Sequence, residues 1–123
     1  MESLSSVYEN GSANISLKAP QLSVVVPIYN ESESLPHLID EINKSLQAIE
    51  MDYEIICIDD GSIDGSPNIL RQLTQQYPHL KAVLLRRNYG QTPAMAAGFQ
   101  FARGNAIVTL DGDLQNDPKD IPM

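Results

Sequence analysis

The 123-residue sequence contains one cysteine, two histidines, no tryptophan, and eight lysines and arginines against sixteen aspartates and glutamates. Each shortage excludes something. A lone Cys57 can form no internal disulfide and has no second thiol at metal-ligand spacing; within the apolar run Ile55-Ile56-Cys57-Ile58 it reads as a buried strand residue. His37 and His79, on a helix and in a loop, have no nucleophile beside them in sequence, so both are expected at the surface. A net charge of −8 leaves no basic face for nucleic acid or for an anionic membrane surface. No apolar run approaches the roughly 18 to 20 residues that span a bilayer. The first twenty residues lack the basic-then-apolar layout of a secretory signal. The sequence therefore reads as having neither a transmembrane segment nor a signal peptide.

With 42% hydrophobic residues, the chain suits one domain or part of one. Residues 1–21 are rich in Ser, Asn and Glu and are expected to be a flexible arm. Folding signals start at Leu22 and continue through residue 123. Leu22-Ser23-Val24-Val25-Val26 reads as a buried strand stopping at Pro27. Leu35, Leu38, Ile39, Ile42, Leu46 and Ile49 recur at helical spacing, with Ser32 or Ser34 as cap and Pro36 in the first turn. A second strand, from Tyr53 to Ile58, meets Asp59-Asp60-Gly61-Ser62. Ser66-Pro67 reads as a cap and a first-turn proline for a helix that Pro78 stops. Ala82 to Leu85 is a third strand, Thr92-Pro93 opens a small-residue helix from Ala94 to Arg103, and Ala106 to Leu110 is a fourth strand. Alternating strands and helices predict an α/β fold with a mainly parallel sheet covered on both faces.

The distinctive polar residues follow the strand ends. Tyr29-Asn30-Glu31, Asp59-Asp60, Arg86-Arg87-Asn88 and Asp111-Gly112-Asp113 come after strands one to four. In an open parallel sheet these points share the edge where ligands bind. A strand order of 3-2-1-4 would set the Glu31 loop opposite Asp111 to Asp113. Asp111 and Asp113, separated by a glycine that permits a tight turn, can aim at one hard cation, Mg²⁺ or Mn²⁺, with Gln115 offering a neutral oxygen. Asp59 and Asp60 can accept hydrogen bonds from a base or a ribose, although Asp, Gly and Ser also favour such turns for backbone reasons alone. Tyr29 offers a ring for stacking. Arg86, Arg87 and Gln91 lie nearest the expected crevice, and Arg pairs well with phosphate.

Two other enzyme and signalling readings share parts of this pattern. An aspartate-nucleophile phosphatase would use Asp111 as nucleophile and Asp113 as acid/base, but it needs Thr/Ser and Lys residues downstream of that motif. A phospho-receiver would hold Mg²⁺ on Asp59-Asp60, but it needs an aspartate at the end of strand three, where Arg86-Arg87 stands.

Taken together, Val26-Pro27-Ile28-Tyr29-Asn30-Glu31, Asp59-Asp60-Gly61-Ser62-Ile63-Asp64-Gly65-Ser66, Arg87-Asn88-Tyr89-Gly90-Gln91 and Leu110-Asp111-Gly112-Asp113-Leu114-Gln115 resemble the family 2 glycosyltransferases. More narrowly they resemble the branch of polyprenyl-phosphate sugar synthases. The resemblance covers Leu22 to Met123 and implies the donor-binding, N-terminal half of a GT-A fold, ending soon after the DxD motif. It implies metal-dependent, inverting transfer of a sugar from a nucleotide-diphospho-sugar, of the UDP-glucose or GDP-mannose type, to a dolichyl or undecaprenyl phosphate. Pro27, Tyr29, Asn30 and Glu31 would line the nucleotide pocket, Asp59 and Asp60 would hold base and ribose, and Asn88 and Gln91 would lie beside the donor. Asp111 and Asp113 would be the catalytic pair and, with Gln115, the ligands of Mg²⁺ or Mn²⁺. The branch acts at the cytoplasmic face of a membrane, and a homo-oligomer is compatible with it. A truncated nucleotide-sugar-binding module without turnover is the alternative.

Overall fold

A computed structural model describes residues 5–8 and 19–110 of the chain. Five strands, β1 (Ser5–Tyr8), β2 (Leu22–Ile28), β3 (Tyr53–Asp59), β4 (Leu80–Leu85) and β5 (Ala106–Thr109), form one sheet in the order β1-β4-β3-β2-β5. The four C-terminal strands run parallel, as the strand–helix alternation predicted, and their order is the 3-2-1-4 arrangement that sequence left as a condition. Between them lie α1 (Leu35–Gln47), α2 (Ser66–Gln76) and α3 (Gln91–Phe101).

The strands alternate by residue, as a sheet buried on both faces requires. Leu22, Val24, Val26 and Ile28 of β2, with Ile55 and Cys57 of β3, pack against Leu35, Leu38, Ile39, Ile42 and Leu46 of α1 and Leu70 and Leu73 of α2. Val25, Ile56, Ile58 and Val83 face the other way, toward Ala94 of α3. Gly98 of α3 makes this second layer thin: a Cβ there would sit 2.4 Å from a Val25 methyl and 2.6 Å from Ile58 Cδ1. Cys57 is buried as expected, and burial pushes its thiol pKa up, which keeps it unreactive. His37 and His79 are exposed, and the His79 ring lies 4.5 Å from that of Tyr53.

Several expectations need correction. Residues 1–21 do not form an unstructured arm throughout, because Ser5–Tyr8 pairs antiparallel with β4, Val7 opposite Val83. Four residues are too short for a period-2 pattern to stand out, and the strand is made by its partner's free edge. β2 does not stop at Pro27 but runs to Ile28. Val25 O accepts from Leu110 N on the β5 side and Ile28 O accepts from Asp60 N on the β3 side. Alternation therefore turns Pro27 toward β5, beyond the last registered pair Val25↔Thr109. Among the described residues no registered pair calls for an N–H at that position. Finally, α3 begins at Gln91, so Thr92 and Pro93 lie inside its first turn, and it ends at Phe101 before Arg103.

Candidate functional site

Three loops leave the carboxyl edge of the sheet: residues 29–34 after β2, 60–65 after β3 and 86–90 after β4. Their own hydrogen bonds join them into one surface, with the middle loop as the hub.

The first and second loops close like a zipper. Three successive main-chain N–H groups, those of Asn30, Glu31 and Ser32, donate to Ser62 Oγ (2.8 Å), Ser66 Oγ (3.0 Å) and Asp64 Oδ2 (3.2 Å). In return Asn30 Oδ1 accepts from Ile63 N at 2.9 Å. Turning three consecutive donors the same way takes an unusual backbone, and Asn30 adopts φ 51°, a left-handed conformation that asparagine tolerates better than most residues. The buried Ser66 therefore does not cap α2 as its Ser-Pro context suggested. Its hydroxyl serves Glu31, and Asp64 Oδ1 takes the Ser66 N–H at 2.9 Å. Likewise Ser34 precedes α1 without a capping bond, its hydroxyl reaching Glu31 O instead, at 3.4 Å.

Asp60 joins the second loop to the third. Its side chain accepts from Tyr89 N (2.7 Å), Gly90 N (2.9 Å) and Asn88 Nδ2 (3.0 Å). A carboxylate just before α3 also complements the positive end of that helix. Gly61, at φ +70°, passes so close to the third loop that a Cβ would lie 2.1 Å from the Arg87 carbonyl carbon. Asp59 behaves differently. It is 1% exposed; Oδ2 accepts from Ser62 N at 2.9 Å, while the buried Oδ1 has no hydrogen-bond partner. Burial raises its pKa above the ordinary carboxylate value.

A cavity of about 240 Å³ opens between the loops, lined by Pro27, Ile28, Tyr29, Glu31, Asp60, Asn88, Gly90 and Gln91. An open depression of about 540 Å³ adjoins it through Tyr29 and Glu31, and includes Asn30, Ser32, Glu33, Ser34 and Asp64. Of the residues expected to bind the donor, Pro27, Tyr29, Glu31, Asp60, Asn88 and Gln91 thus meet in one cavity. Asn30 lines only the adjoining depression and works mainly as a loop fastener. Asp59 lies among the lining residues of neither. Arg87 turns back onto its neighbour, its Nε donating to Tyr89 OH at 3.2 Å and its guanidinium lying 5.3 Å from the ring centre. Asp111, Asp113 and Gln115 lie outside the described residues. Among the described residues no group of three or more His, Cys, Asp or Glu is arranged to hold a metal. Leu110, next in sequence to Asp111, is buried and donates its N–H to Val25 O at 3.0 Å, beside β2.

Sequence reasoning missed Ser62, Asp64 and Ser66 as partners of the first loop. The signal was present as Ser-x-Asp-x-Ser, three acceptors at every second position, but the proline after Ser66 favoured the simpler capping interpretation.

The glycosyl transferase family 2 model matches residues 23–123. The undecaprenyl-phosphate 4-deoxy-4-formamido-L-arabinose transferase of Proteus mirabilis (strain HI4320) is 47% identical over 106 residues, covering 85% of this chain and 32% of that protein. The chain thus spans about a third of the length of this curated relative. Among solved structures, the mannosyltransferase PcManGT from Pyrobaculum calidifontis, in complex with GDP-Man and Mn2+, superposes with a TM-score of 0.62 at 26% identity. That match covers 79% of this chain and 28% of the other. S. aureus TarS 1-349 in complex with UDP-GlcNAc gives a TM-score of 0.59 at 26% identity, covering 76% of this chain and 26% of the other. Both neighbours are GT-A glycosyltransferases, and at these TM-scores the chain shares that fold with them. On the length of the family match and the identity to the curated relative, the chain belongs to glycosyl transferase family 2.

Proposed function

We propose that this chain is the donor-binding half of a metal-dependent, inverting glycosyltransferase that moves a sugar from a nucleotide-diphospho-sugar to a polyprenyl phosphate. The observation that carries the reading is the single cavity lined by Pro27, Tyr29, Glu31, Asp60, Asn88 and Gln91 at the carboxyl edge. The names of the relatives add to it: an undecaprenyl-phosphate sugar transferase on one side, and neighbours holding GDP-Man or UDP-GlcNAc on the other.

In this reading Tyr29, 44% exposed at the cavity mouth, gives the base a face to stack on. The backbone near Gly90 and Gln91, at the start of α3, borders the diphosphate. Asp60 holds the third loop in place for the donor, and the buried Asp59, which lines neither hollow, fixes the second loop by accepting the Ser62 N–H. Asp111, Asp113 and Gln115 are two carboxylates and a carboxamide, a hard-oxygen set that fits Mg²⁺ or Mn²⁺. Such a cation, when bound, offsets charge on the departing nucleoside diphosphate. The acceptor phosphate is already ionised. Its oxygen forms the new bond to the anomeric carbon from the face opposite the breaking bond to the nucleoside diphosphate, so no strong base is required and positioning dominates. A polyprenyl acceptor implies a reaction at a membrane, and the family resemblance implies its cytoplasmic face. Among the described residues no helix is long and apolar enough to cross one.

Calorimetric titration of UDP-glucose and GDP-mannose, each with and without Mn²⁺, tests the proposal. Saturable, Mn²⁺-dependent binding of one of them is expected. A folded protein that binds neither under any of these conditions would overturn it. Binding without any transfer to undecaprenyl phosphate by the full-length protein would instead favour a nucleotide-sugar-binding module.

A further inference from the structure

We propose that Asp64 is a positioning residue for the donor pocket, its carboxylate bridging the main-chain N–H groups of Ser32 and Ser66 and so fixing where Glu31 and Tyr29 meet the cavity. This rests on the donor-binding reading of that cavity. Asp64 itself lines only the outer depression, and no step of the transfer uses it. What it controls is a relay. Oδ1 holds the Ser66 N–H at 2.9 Å, Ser66 Oγ accepts the Glu31 N–H at 3.0 Å, and Oδ2 holds the Ser32 N–H at 3.2 Å. Glu31 is therefore clamped from both sides by bonds that trace to one side chain.

The geometry needs two anionic oxygens at this position. Asp64 is exposed, so apolar packing does not hold it, and the bridge consists of these bonds. An asparagine keeps one acceptor and turns an NH₂ group toward the second N–H, leaving a donor facing a donor. A glutamate keeps both oxygens. The bonds from Ser66 and Ser32 in turn hold the Asp64 carboxyl at a pKa of about 2, so the bridge is ionised throughout the neutral range.

The test compares the full chain with Asp64→Asn, Asp64→Glu and Ser66→Ala. The readouts are the calorimetric dissociation constants for UDP-glucose and GDP-mannose with Mn²⁺, amide hydrogen exchange over residues 30–32, and thermal midpoints. Asp64→Asn and Ser66→Ala are expected to weaken the nucleotide sugar that the unsubstituted chain binds by about five- to tenfold, the scale of one or two lost hydrogen bonds. Exchange at residues 30–32 should quicken while the thermal midpoint moves little. Asp64→Glu should restore affinity to within about twofold, which a loss of general stability would not explain. Unchanged affinity in Asp64→Asn with faster exchange at residues 30–32 would overturn the positioning role and leave the donor reading intact. If the unsubstituted chain binds neither nucleotide sugar, the donor reading falls and the role of Asp64 with it.

Discussion

The two ends of the sheet each bury carboxylates between β2 and β3, and they treat them in opposite ways. At the amino end Glu54, 9% exposed, stands beside Ser23 in register and accepts from Ser23 Oγ (2.6 Å) and Arg103 N (2.6 Å). Lys81 Nζ lies 3.9 Å from its other oxygen, and Ser23 Oγ passes the network on by accepting from Gly104 N at 2.8 Å. Both carboxylate oxygens are matched by the chain, and the cluster ties the segment leaving α3 to the first turns of β2 and β3. At the carboxyl end Asp60 is matched in the same way, but Asp59 keeps one buried oxygen with no partner. Buried polar atoms are nearly always satisfied, so an exception marks a place that something else completes. The chemistry of the two ends is similar; the difference lies in whether the fold finishes the bonding itself.

The most forceful way to test this contrast is to remove the finished end. Glu54→Ala takes the shared acceptor from Ser23 Oγ and the Arg103 N–H and removes the carboxylate beside Lys81, which should cost about 3–5 kcal/mol of stability by chemical denaturation. Nucleotide affinity, measured on the fraction that stays folded, is expected to be unchanged. A fall in affinity larger than the loss of folded protein would show that the amino end also shapes the site.

Gly61→Ala attacks the other end. The new Cβ meets the backbone of Arg87 and Asn88 at 2.1–2.3 Å, and the φ of +70° is itself unfavourable for alanine. One loop must move. The expected cost is about 1–3 kcal/mol in stability, with nucleotide affinity falling at least about tenfold as the Asp60 contacts to the third loop loosen. Intact affinity would mean that the three-loop junction is not what holds the cavity open.

How much of this was legible before any coordinates follows from the kind of interaction involved. The succession of elements from β2 to β5 and the layers around them could be read because burial writes itself into the sequence as periodicity: Leu35, Leu38, Ile39, Ile42 and Leu46 in α1, and apolar runs in the strands. Pro27, Tyr29, Glu31, Asp60, Asn88 and Gln91 could be placed together because parallel topology collects strand ends at one edge. The zipper could not. Ser66 followed by proline looks the same whether its hydroxyl caps its own helix or reaches across to Glu31, since the choice depends on where another loop passes. β1 was missed for a similar reason, as Ser-Ser-Val-Tyr becomes a strand through the free edge of β4. Glu54 and Lys81 were not singled out, because the register that sets Glu54 beside Ser23 leaves no mark on either segment alone.

The smallest expected effect is also the most direct measure of the contrast. Burial raises the pKa of Asp59 above the 3.8 of an unperturbed aspartate. Between that value and the raised one, the folded protein holds a proton that the unfolded chain has released. Stability from this group is thus fully present below the unfolded pKa and declines as pH rises through the folded one. Asp59→Asn removes the titration. The asparagine can still accept the Ser62 N–H, and its NH₂ group takes the place of the unmatched oxygen. That new donor carries a penalty, but the penalty is the same at every pH. The absolute stabilities of the two proteins can therefore fall either way, whereas their difference must shift toward the asparagine variant as pH rises above the 3.8 of an unperturbed aspartate and through the raised folded value. Denaturant midpoints for both proteins across that range give the slope. A flat difference would mean that Asp59 Oδ1 is satisfied after all, and the carboxyl end would then be as complete as the Glu54 end.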